Sequence, residues 1–244
     1  MNKIIFRHLA IIIFSLAVTT SVRAQPLFNT YMDLGSNTLS DGFFFRTSGI
    51  AEWTLGKFSI EGGAQFDFKS TNENFLTGAD FAASWNFRIA KSDLHLKGFA
   101  RWTLFSGLIR IPDYGILAGW ESKYLTAAIG THYRTWVFSE EAQLEYGLGT
   151  ASRVHENLEL LYLIGCRLKP GDNDWTLGLN MTNIDYFIIS ETDEPSFNLT
   201  CNYRTSRKLN IFGEIWYKSS VAYDSDINYT GVFLRAGIIW SIGK

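Results

Sequence analysis

The chain has 244 residues, 46% of them apolar and 16% aromatic, with 22 basic against 24 acidic side chains and a formal net charge of −2. That length suits one large domain. The acidic balance argues against a nucleic-acid partner, and a mean hydropathy near zero argues against a bundle of membrane-spanning helices, each of which needs about 20 consecutive apolar residues.

Lys3 and Arg7 make a basic start, Leu9 to Ala17 is an apolar run, and Val22-Arg23-Ala24 offers small residues for cleavage. This pattern predicts a secretory signal peptide over residues 1–24, too short for a spanning helix. No Cys follows the cut position, so no lipid anchor is expected there. Cleavage removes Lys3, Arg7 and Arg23, leaving 19 basic against 24 acidic residues and moving the net charge from −2 to −5. Residues 25–244 are expected to form one domain.

A two-residue rhythm runs through that domain. Between Phe58 and Phe68 the even positions are apolar or Gly and the odd ones polar or Gly; Ala79, Phe81, Ala83, Trp85, Phe87 and Ile89 share one face, with Asp80, Ser84, Asn86 and Arg88 on the other. Successive strand residues point to opposite faces, so this is a sheet with one apolar and one polar side. The pattern predicts strands over 27–36, 43–54, 58–68, 78–89, 94–105, 114–121, 123–134, 157–168, 175–187, 196–204, 209–218 and 230–242. Short connections (Leu55–Lys57, Ala90–Asp93, Glu121–Lys123, Lys169–Asp174, Thr205–Lys208) alternate with longer ones at 37–42, 69–77, 106–113, 135–156, 188–195 and 219–229. An even strand number with alternating turn lengths fits an all-β fold: a twelve-stranded, antiparallel, closed transmembrane β-barrel with both termini periplasmic.

Aromatic residues support that reading. Trp53, Trp85, Trp120, Trp175 and Trp240 fall on the outward face near the short turns, and Phe43, Phe45, Phe66, Phe68, Trp102, Tyr133 and Tyr217 near the long loops. Two belts at two levels match the preference of these rings for the headgroup zone. The last strand carries Arg235-Ala236-Gly237-Ile238-Ile239-Trp240-Ser241-Ile242. This segment resembles the C-terminal signal of bacterial outer-membrane β-barrels, although Gly243 and Lys244 follow it. The resemblance implies that the barrel-assembly machinery is a partner through Arg235–Ile242, with outer-membrane lipid and lipopolysaccharide as surroundings.

The inward face carries the chemistry. Five cross-strand pairs are expected: Arg46 with Asp67, Glu61 with Arg88, Asp80 with Arg101, Arg134 with Glu159, and Glu214 with Arg235. Lys97, Arg167, Arg204 and Lys218 remain as a basic surplus that would favour anions. Trp216 and other inward aromatics (Tyr31, Phe44, Phe99, Phe105, Trp136, Phe212, Phe233) narrow the lumen. No closely spaced His/Cys set suggests a metal, and no motif suggests a cofactor. Cys166 and Cys201 fall on the lipid face with a whole strand between them, about 10 Å apart and beyond disulfide reach. No strand points a His outward, where a lipid-modifying enzyme would need its base. The reading that follows is passive or weakly selective passage of small polar solutes through a charged lumen. The alternatives are a lipid-modifying outer-membrane enzyme and a closed structural or partner-binding barrel plugged by the loop at 135–156.

Overall fold

The computed structural model describes residues 25–35, 44–68, 75–105, 109–145, 147, 153–155, 158–169, 174–184, 195–218 and 231–242. The signal-peptide reading of residues 1–24 and the loops at 37–42, 188–194 and 219–229 lie outside them. The strands are β1 (Gln25–Gly35), β2 (Phe44–Leu55), β3 (Phe58–Asp67), β4 (Leu76–Ile89), β5 (Ser92–Phe105), β6 (Ile109–Glu121), β7 (Leu125–Phe138), β8 (Arg153–His155), β9 (Glu159–Leu168), β10 (Trp175–Thr182), β11 (Ser196–Arg204), β12 (Leu209–Lys218) and β13 (Gly231–Ser241). A six-residue helix, α1 (Glu140–Glu145), follows β7.

Every pairing is antiparallel. β1 pairs with both β2 and β13, and the β6–β7 pairing closes the sheet. Closure leaves the barrel wall without an open edge, which a wall facing hydrocarbon requires. The three-residue β8 continues β9 along β7. The register slips by one residue between them, from His132↔Glu159 to Thr135↔His155. The barrel therefore has twelve strands.

Five short turns and both barrel termini lie at one end, here called the short-turn end; the opposite one is the far end. Gly56, at φ +67°, occupies a left-handed position in the β2–β3 turn that favours glycine. Hydroxyls close two other turns: Ser122 Oγ donates to Leu125 O at 3.1 Å, and Thr205 Oγ1 to Leu209 O at 2.7 Å.

The apolar face points outward. Phe81, Ile116, Ile129, Ile164, Leu199 and Leu234 are all exposed around the middle of the wall. At the short-turn end Phe28 packs against Trp53 and Trp240, Phe58 stacks on Trp85, and Trp175 meets Tyr203 at 4.5 Å. At the far end Phe45, Phe66, Phe68 and Phe75 form a second aromatic group, with centroids 5.0–5.5 Å apart. Cys166 and Cys201 are free thiols on the outward face, with β10 between their strands.

Three segments depart from the expected boundaries. β6 begins at Ile109, so most of the predicted 106–113 loop is wall. Pro112 marks that stretch as a break in the sequence, because proline cannot donate to a ladder. Here the β6–β7 register omits Ile111 and Pro112, so no ladder bond is asked of the proline toward β7. β7 runs on to Phe138, and the predicted 135–156 loop contains its end, α1 and β8. β10 ends at Thr182, with Asn183 and Ile184 outside the strand, and the predicted remainder at 185–187 lies outside the described residues. Past Thr182, Asn183 takes over the ladder: its Oδ1 accepts from Tyr162 N–H at 2.7 Å and its Nδ2 donates to Leu160 O at 2.7 Å.

Candidate functional site

The inward residues divide by height. Toward the far end the polar side chains are buried and engaged with one another. Asp113, on β6, is the centre of one cluster. Its Oδ1 lies 2.7 Å from His132 Nδ1, and its Oδ2 lies 3.7 Å from Arg101 Nη1 and 3.7 Å from Arg134 Nη2. His132 Nε2 in turn faces Glu159 Oε2 at 3.3 Å. Ionised carboxylates only accept, so both contacts hold as hydrogen bonds when each ring nitrogen carries a proton. This cluster ties β5, β6, β7 and β9 together across the lumen wall.

A second cluster spans the seam where the chain's first and last strands meet. Arg235 Nε donates to Asp33 Oδ1 at 2.6 Å and Nη2 to Asp33 Oδ2 at 3.2 Å, a bidentate pair. The guanidinium lies 4.2 Å from the Tyr31 ring centre and 5.6 Å from that of Trp216. Trp216 stacks on Phe233 and donates its indole N–H to Glu214 at 2.7 Å. Glu214 also lies 3.7 Å from Arg235 and accepts from Asn198 at 3.4 Å. Beside this cluster Arg46 meets Asp67 at 3.2 Å, and Gln65 joins Ser48 and Thr77. Gln65 is 0% exposed, Asp33 1% and His132 2%, so the inward side chains of this half are closely packed against one another. Leu117, Leu161 and Ile184 pack with Phe99, Ala128 and Leu163 on the inner wall between β5 and β10.

Toward the short-turn end the inward polar side chains, Ser59 apart, are only half-buried: Asn29, Glu52, Glu61, Ser84, His95, Lys97, Thr126, Arg167, Thr176, Asn202 and Asn210. Cavities open here. One of about 480 Å³ is bounded by strands β7 and β9–β13, and one of about 230 Å³ by Glu52, Glu61 and Lys97.

The expected pairs hold in part. Arg46–Asp67 and Glu214–Arg235 form as expected. The Glu61–Arg88 pair does not: Glu61 faces Ala82 in register, six residues or about 20 Å from Arg88 along the strand. Lys97 takes Glu61 instead, while the exposed Arg88 meets Asp93 at 3.1 Å near the β4–β5 turn. Asp80 and Arg101 are register partners, yet the guanidinium reaches on to Asp113. Asp80 is held against the backbone of Gly63, where a Cβ would sit 2.5 Å from its Oδ1. Arg134 also reaches Asp113, and Glu159 also reaches His132.

The basic surplus also dissolves. Lys97 is paired, Arg167 bonds Glu121, and Lys218 is buried and engaged at the far end. Arg204 sits exposed beside the β11–β12 turn. Sequence reasoning misses Asp113 because its segment reads as a loop. The inward alternation Ile109, Ile111, Asp113 is the signal that could place it. No group of His, Cys, Asp and Glu with metal-holding geometry occurs among the described residues. His95 and His132 both point into the lumen.

No family model matches the chain, and no curated protein matches it in sequence. Solved structures do match. The NanC porin aligns with a TM-score of 0.51 at 9% identity, covering 90% of this chain and 100% of that one. The chain has the fold of a bacterial outer-membrane β-barrel. An outer membrane channel from Pseudomonas putida F1 aligns at a TM-score of 0.49 and 11% identity (92% of this chain, 97% of that one). The outer membrane phospholipase A from Escherichia coli aligns at 0.46 and 9% (93% and 99%). At these identities the likeness concerns the fold alone.

Proposed function

We propose that this barrel sits in a bacterial outer membrane, short-turn end and termini toward the periplasm, and gives small polar solutes passive, weakly selective passage. The observation that carries the reading is the open polar compartment in the short-turn half, with cavities of about 480 and 230 Å³ among half-buried Asn, Thr, Lys and Glu side chains. A barrel kept only as a membrane anchor has no need of polar space inside it. The far-end clusters around Asp113 and Arg235 are the constriction that limits solute size, since rings of charged side chains are a general means of selection. Lipid and lipopolysaccharide contact the two aromatic belts, and the Arg235–Ile242 segment, which β13 places at the seam with β1, engages the assembly machinery.

Planar-bilayer recording tests the reading. Purified barrel gives discrete conductance steps, and heat-unfolded protein gives none. A silent bilayer containing correctly inserted protein overturns it. Such silence is the outcome expected of a closed barrel, the reading that burial of the far-end polar residues favours.

A further inference from the structure

The short-turn half holds polar side chains that the fold itself does not use. Thr126 of β7, Thr176 of β10, Thr200 and Asn202 of β11, and Asn210 of β12 line the cavity of about 480 Å³. Among the described residues none of these five side chains makes a hydrogen bond to the protein. The contrast with the far half is sharp in kind. There Gln65, Asn198, Asp33 and His132 are all bonded to neighbours.

The chemistry of the cavity is specific. Amides and hydroxyls both donate and accept. The charged side chain on its lining, Arg167, is already bonded to Glu121. A site built this way offers little to an ion and much to a molecule whose own groups both donate and accept. Its volume falls within the roughly 300–1,000 Å³ range of small-molecule sites. A neighbouring cavity of about 110 Å³ shares Asn202 and Ile239 with it and adds Asn29 and the charged pair Glu214 and Arg235, whose charges already meet each other and Asp33.

We infer that this cavity is a solute subsite for uncharged polyhydroxylated molecules of mono- to disaccharide size. The inference rests on the passage reading and names its solute class. Its Thr and Asn side chains take the hydroxyls.

The test compares entry of a neutral hexose, a neutral disaccharide and a hexuronate into proteoliposomes by swelling, with potassium chloride conductance recorded in parallel. Two variants carry the question, N202L/N210L and the milder T176V/T200V, each checked for heat-modifiable gel mobility. Wild-type protein admits both neutral sugars faster than the hexuronate. Loss of a hydrogen-bonding side chain slows sugar entry about fivefold, the factor a single net hydrogen bond supplies. Salt conductance stays at the wild-type level in the folded variant. Should N202L/N210L fail to fold, T176V/T200V decides alone. Equal entry of sugar and hexuronate, or unslowed sugar entry in a folded variant, overturns the subsite while salt conductance leaves the passage reading intact. Absence of both salt conductance and sugar entry overturns the two together.

Discussion

The two halves of this lumen are built from similar residue types and do opposite things with them. At the far end, Asp113, His132, Arg101, Arg134 and Glu159 are bound to one another, and Asp33 grips Arg235 between aromatic rings. Toward the short turns, Asn202, Asn210, Thr126 and Thr176 face open volume. The difference teaches that polarity alone does not make a passage. What matters is whether the polar groups are already committed to partners within the wall.

The largest expected effect comes from removing a hub in the committed half. Asp113→Ala leaves two guanidiniums and an imidazole buried around an absent carboxylate. Breaking a buried ion pair by deleting one partner costs about 3–5 kcal/mol. The matched change in the other half, Glu121→Ala, removes a partner of Arg167 where both side chains are about 40% exposed, and an exposed pair contributes at most about 1 kcal/mol. Urea unfolding in detergent micelles measures both. Equal losses break the comparison.

A cut across the wall comes next. Ala83 faces lipid and Ser84, its neighbour, faces the roomy half of the lumen. Ala83→Arg costs about 2–4 kcal/mol if it lies near mid-membrane, whereas Ser84→Arg is nearly neutral. Ser48→Arg, inward but in the closely packed half, falls between them by overpacking, at about 1–3 kcal/mol. The fraction of folded protein after refolding into vesicles ranks the three, and a Ser84→Arg loss matching Ser48→Arg would show that both halves are packed alike.

The smallest effect on stability belongs to the uncommitted side chains. Asn202→Ala and Asn210→Ala stay within about 0.5 kcal/mol of wild type, as changes that break no contact do. Their urea midpoints should overlap the parent curve; a shift beyond that range would mean these amides hold the wall together. Deleting residues 139–152 likewise leaves assembly intact, because β7, β8 and the Arg235–Ile242 segment remain. We expect it to raise conductance through the far end, and unchanged conductance in an inserted mutant would place the constriction in the wall clusters alone.

Much of the barrel wall is legible in the amino-acid sequence. Alternation assigns which face of Phe58–Phe68 and Ala79–Ile89 turns outward, and the outward tryptophans mark the short-turn level. The partners inside the lumen are harder to read. Whether Glu61 meets Arg88 or Lys97 depends on register across three tilted strands, and a cross-strand neighbour fixed by register is not visible in composition. Pro112 hides Asp113 by suggesting a break, because its tolerance depends on a local gap in the β6–β7 ladder that a single strand does not announce. The early end of β10 has a similar cause: Asn183 substitutes its side chain for the next rung.

Side-chain accessibility in the two halves tests the central claim most directly. In a Cys166→Ser/Cys201→Ser background, Asn202→Cys places a thiol in the open half and Gln65→Cys places one in the committed half. A small membrane-impermeant thiol reagent is added to both faces of barrels in vesicles permeabilised by a pore too narrow for protein, and labelling is followed over time. The account predicts rapid modification at position 202 under conditions that leave position 65 unmodified until the barrel is unfolded. Equal rates at the two positions, or faster labelling at 65, would contradict it.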